Sequence, residues 1–72
     1  MRKEKWEKLL HEKEISECET EIKDIRSHLD DAYLRFDSTS DFDSIDACVF
    51  EINALRARYN AALRHMRDIY FN

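Results

Sequence analysis

Two apolar stripes, each spaced alternately by three and four residues, constrain this 72-residue chain more than any other feature. The first runs Ile15, Cys18, Ile22, Ile25, Leu29, Ala32, Phe36, and the second Ile45, Cys48, Ile52, Leu55, Tyr59, Ala62, Met66, Ile69. Such spacing gathers each set on one side of an α-helix, as the a and d positions of a heptad repeat. The chain has no Gly and no Pro, the residues that most disfavour a helix interior. Only the Ser/Thr/Asp-rich stretch from Asp37 to Asp43 breaks the pattern. The expected fold is all-α: an antiparallel, coiled-coil-like two-helix hairpin spanning residues 1–72 as one domain. Helix 1 is expected at about 3–36, the turn at about 37–41 and helix 2 at about 42–70.

Local signals mark the second helix best. Ser40 or Asp41 can accept from the free amides that open it, and with Ser40 as cap Asp43 completes a capping-box-like pair. Asp41, Asp43 and Asp46 place negative charge at the positive end of that helix dipole. Along helix 1, Glu4 with Lys8, Glu19 with Lys23 and Asp31 with Arg35 have the favourable i,i+4 order. Upstream, Trp6, Leu9 and Leu10 leave the seam register, which calls for Lys8 and His11, so the first turns are expected to shift phase or fray.

If the helices pair around the turn, residues whose indices sum to about 78 stand level, at ~1.5 Å of rise per residue. Cys48 then lies roughly 18 Å from Cys18 along the hairpin, beyond the ~7 Å reach of a disulfide, and both are expected as packed free thiols. The g positions beside the seam then match Glu14 with His65, Glu21 with Arg58 and His28 with Glu51. Each exposed pair contributes only ~0–1 kcal/mol, but their agreement favours this register.

Apolar residues also lie off the seam. Phe42, Val49, Leu63 and Tyr70 occupy e positions of helix 2, and Tyr33 holds the same position on helix 1. On the outer face runs a narrow stripe of Ala47, Phe50, Ala54, Ala57 and Ala61, small enough for another helix to approach closely. Ala is also simply the best helix former, whereas Phe50 has no such explanation. A chain this short buries too little surface for a generous core, so the expected interface residues are Phe42, Val49, Phe50, Ala54, Ala57, Ala61, Leu63 and Tyr70. They point to a homodimer that forms a four-helix bundle.

Chemistry-bearing patterns are weak by comparison. Asp37, Thr39, Asp41 and Asp43 have the spacing of an EF-hand loop, but Phe42 stands where the turn needs Gly and Cys48 where a bidentate Glu belongs. His11, His65 and Glu14 approach one another at the open end, without the within-helix spacing that fixes two zinc ligands. No serine or cysteine has a convergent base and no Gly-rich loop could cradle phosphate, so neither enzyme activity nor a cofactor nor a metal is expected.

Net charge is −4 with a pI near 5.3, yet its distribution is uneven. Residues 12–51 carry 13 acids against 4 bases, whereas 1–11 come to +2 and 52–72 to +3. The hairpin therefore has an acidic tip and a basic open end. Arg56, Asn60, Arg64 and Arg67 share a face that could meet phosphate, but four arginines on an acidic chain are a poor footprint, and nucleic acid is not the expected partner. No apolar run approaches the ~18 residues of a membrane span, and Met1-Arg2-Lys3-Glu4-Lys5 leads into no signal-peptide core, so the cytoplasm is the expected location. Trp6, Leu9 and Leu10 beside lysines would suit a membrane surface, but Glu4, Glu7, Glu12 and Glu14 offset the positive charge, and packing on a partner chain is expected instead.

The stretch Ser40-Asp41-Phe42-Asp43-Ser44-Ile45-Asp46-Ala47-Cys48-Val49-Phe50-Glu51-Ile52-Asn53-Ala54, followed by Arg58-Tyr59 and Leu63-Arg64, resembles the YaaL-like family of small proteins from Firmicutes-type bacteria. The likeness spans roughly residues 29–67, with Asp46, Glu51 and Arg58 on recurring positions of that family. It departs at Phe42, where the family has Pro, at Ser44 for Leu and at Phe50 for Tyr. The resemblance implies a cytoplasmic bacterial protein and no particular activity. The function expected from the whole sequence is non-enzymatic protein–protein contact as a homodimer. The alternative is a small acidic regulator or inhibitor that occupies a basic surface of a partner such as a nucleic-acid-binding protein.

Overall fold

A computed structural model of the chain describes residues 2–71. It consists of α1, Arg2–Ser38, and α2, Phe42–Tyr70, packed against each other as a hairpin 61 Å long and 15 by 12 Å across. The two stripes face one another as the periodicity requires. The apolar d positions are all buried: Cys18, Ile25 and Ala32 on α1, and Cys48, Leu55, Ala62 and Ile69 on α2. The a positions Ile15, Ile22, Leu29, Ile45, Tyr59 and Met66 are only half-buried, and Ile52 alone among them is closed over. Ala32 is 0% exposed and packs with Ile52 and Leu55, against which Leu29 closes. Both cysteines are free and buried.

The connection is tighter than expected because α1 runs on to Ser38. Without a residue at positive φ, α1 ends through hydroxyls instead. Ser38 Oγ and Thr39 Oγ1 both donate to the Arg35 carbonyl, at 3.1 and 2.6 Å, and the Thr39 amide donates to Phe36 O at 3.3 Å. These bonds satisfy carbonyls that a helix end otherwise leaves open. Asp41, in extended conformation, is the cap of α2: its Oδ2 accepts from the Ser44 amide at 3.1 Å and from Ser44 Oγ at 3.0 Å. The Ser40–Asp43 capping box does not form. A cap at Asp41 makes Ser44 the third helical residue, and its hydroxyl supplies the second hydrogen bond.

The flanking charges also differ from the level pairing. Among the described residues the inter-helix ion pair is Arg35 with Glu51, and the pairs Glu14–His65, Glu21–Arg58 and His28–Glu51 do not form. Level pairing would set Arg35 opposite Asp43. Helical side chains lean toward their own N-terminus. In a hairpin those of α1 therefore lean away from the turn and those of α2 toward it, so touching pairs sit further along α2 than level ones. The cluster of Leu29, Ala32, Ile52 and Leu55 shows the same displacement. Asp31 loses Arg35 to this contact. Of the i,i+4 pairs, Lys13 with Glu17 closes at 3.9 Å, while Glu4–Lys8 and Glu19–Lys23 do not.

The first turns of α1 neither change phase nor fray. The helix is continuous from Arg2, the seam register continues through a half-buried His11, and Trp6, Leu9 and Leu10 are left on the outside. Since α1 has 37 residues and α2 has 29, about eight residues of α1 project past the end of α2, roughly 12 Å. Phe36, the last rung of the first stripe, remains over a third exposed because no further helical turn lies beyond it. We expect Ile25→Ala, at a site 2% exposed, to cost about 2–4 kcal/mol in urea denaturation, and Leu34→Ala on the outer face to cost less than about 0.5 kcal/mol.

Candidate protein-interaction surface

The residues expected to form an interface lie on the surface of α2. Phe42 is 81% exposed and Phe50 72%, with Tyr70 also exposed and Val49 and Leu63 near the lower limit of exposure. Ala54, Ala57 and Ala61 are exposed as well. The structure divides this set between two directions. Heptad geometry places Phe42, Val49, Leu63 and Tyr70 at e, beside the seam and on the same flank as Tyr33. Phe50, Ala54, Ala57 and Ala61 lie at c and f, pointing away from α1. A single flat partner cannot cover both sets at once.

Of three further exposed apolar sites, Leu34 and Phe71 were not anticipated as interface, whereas the Trp6 segment was expected to pack on a partner chain. Leu34 is exposed on the outer face of α1. Phe71, 85% exposed, ends α2, its amide donating to Arg67 O at 3.1 Å. Trp6 and Leu9 line an open depression with Arg2 and Lys5 on the projecting end of α1. The signal for the last was present in the sequence, since Trp6, Leu9 and Leu10 stand three and four residues apart, off the seam.

Metal and charge candidates are placed as follows. Asp41 and Thr39 use their side-chain oxygens for helix ends. His11 is half-buried and His65 exposed, and among the described residues no group of three or more His, Cys, Asp or Glu side chains converges on a metal-sized site. Arg56, Arg64 and Arg67 are exposed on α2. No helix of the structure is long and apolar enough to cross a membrane. Comparison with family models, with curated proteins and with solved structures returned no match.

The Cys18 thiol is pushed above its ordinary value, first by burial and then by the charges of Glu21, Glu14 and Glu17. A raised value disfavours the thiolate, the reactive form. It also means that the folded state holds the proton more tightly than the unfolded one. The resulting stability is intact below the ordinary thiol value of 9.0 and is lost as pH rises past it. Cys18→Ala should therefore flatten the decline in denaturation midpoint above that pH relative to the wild type, and Cys18 should resist alkylation until the hairpin unfolds.

Proposed function

We propose that this protein is a non-enzymatic contact module: a cytoplasmic helical hairpin that pairs with a second copy into a four-helix bundle and acts through protein–protein contact. The observation that supports it is the amount of apolar surface that the hairpin leaves uncovered on one helix, from Phe42 through Val49 and Leu63 to Tyr70. Covering such a strip is favourable at about 25 cal/mol per Å² of apolar area, and a two-helix seam has no third layer to do so. The resemblance to the YaaL-like family is compatible with this reading, since it implies a cytoplasmic bacterial protein and no particular activity.

A second reading, the small acidic regulator, draws on a different observation. Among the described residues only Glu17 and Glu51 of the 13 acids in residues 12–51 stand in an ion pair, so the tip presents a largely uncompensated negative surface. Such a surface suits a basic partner such as a nucleic-acid-binding protein. Multi-angle light scattering at low and high salt separates the two readings. We expect a dimer mass in both conditions. A monomer in both would overturn the homodimer and leave the acidic regulator.

A further inference from the structure

The seam is lopsided, and its open side is the apolar one. The apolar d positions are sealed, whereas Ile15, Ile22, Leu29, Tyr59 and Met66 at a stay half-open. Next to a lies the e flank, which on α2 is apolar at Phe42, Val49, Leu63 and Tyr70 around Arg56, and on α1 carries Tyr33 after the charged Glu12, Glu19 and Arg26. Next to d lies the g flank, where every residue, from Glu14 to Arg35 and from Ser44 to His65, is polar. A chain meant for a two-stranded seam alone needs apolar a and d. One meant for a bundle carries a third apolar position beside them. Here that third position is e, and the half-open a residues border it.

We propose that a second copy of this chain seats on the a/e flank with the two hairpins antiparallel, the acidic turn of each lying against the projecting basic end of the other. The inference rests on the pairing reading above and adds its face and its polarity. Two features carry it. The projecting end carries Arg2, Lys3, Lys5 and Lys8 against Glu4 and Glu7, a net positive charge, and the turn carries Asp37, Asp41 and Asp43. Antiparallel copies match these twice over by two-fold symmetry, whereas parallel ones would set acid on acid. In the middle, Glu19 and Arg26 occupy successive e positions of α1, so a two-fold axis between them sets Glu19 of each protomer beside Arg26 of the other. Phe50 and the alanine stripe then remain outside the pair.

Sedimentation equilibrium on the full chain tests this, with circular dichroism confirming that each variant stays helical. Val49→Lys with Leu63→Lys should turn the wild-type dimer into a monomer, and Phe50→Lys should leave it dimeric. At low salt, Arg2→Glu with Lys5→Glu should weaken the dimer about tenfold, and so should Asp37→Lys with Asp43→Lys. All four changes together should restore it. A dimer that survives the Val49/Leu63 change but dissociates with Phe50→Lys would overturn the flank. Reversals whose combination does not restore affinity would overturn the antiparallel arrangement. A monomeric wild type would instead overturn the pairing reading on which both depend.

Discussion

Among the described residues the two helices pack through one antiparallel seam, and its register is governed by the lean of helical side chains toward their own N-termini. Because the two helices run in opposite directions, their side chains lean in opposite directions along the hairpin. Ala32 meets Ile52 and Leu55 rather than the residues level with it, and Arg35 crosses to Glu51. The small Ala32, fully enclosed, lets the helices approach near the turn. The three-residue connection holds because hydroxyls close the end of α1 and Asp41 opens α2. Neither end requires glycine.

From that register follow the features that bear on function. Among the described residues α1 is longer than α2, so Trp6, Leu9 and the charged residues around them project past the end of α2. The rotation of the helices about the seam seals d and leaves a half-open, which concentrates apolar surface on the e flank and polar surface on the g flank. Apolar surface gathered in this way beside the seam is what the proposed pairing would cover. Its chemistry contains no convergent acid, base or nucleophile among the described residues, which is why contact rather than catalysis is the reading proposed.

Much of the fold was legible from periodicity alone. The helix order, the residues of the seam and the free cysteines all follow from where apolar side chains recur. The g-position pairing was misjudged because it depends on side-chain direction, which index arithmetic ignores; Glu51 was assigned to His28 and instead meets Arg35. The phase of the first turns was misjudged for a related reason. Trp6, Leu9 and Leu10 suggested a change of register, but with no α2 beside them nothing draws an apolar residue inward, and the backbone simply continues. The choice of Asp41 over Ser40 as cap turns on where α1 stops, and hydroxyl bonds to the Arg35 carbonyl decide that. Within the candidate surface, the sequence named the exposed residues of α2 but could not show that they face two directions, since that requires knowing how far each stripe is rotated into the seam.

The register underlies the flank, the projection and the charge arrangement together, so it is the claim to test first. Methyl-to-methyl nuclear Overhauser contacts in the selectively labelled protein do so directly. The account predicts cross-peaks from the Ala32 methyl to Ile52 and Leu55. Cross-peaks from the Ala32 methyl to the Ile45 methyls in their place, as level pairing requires, would contradict it.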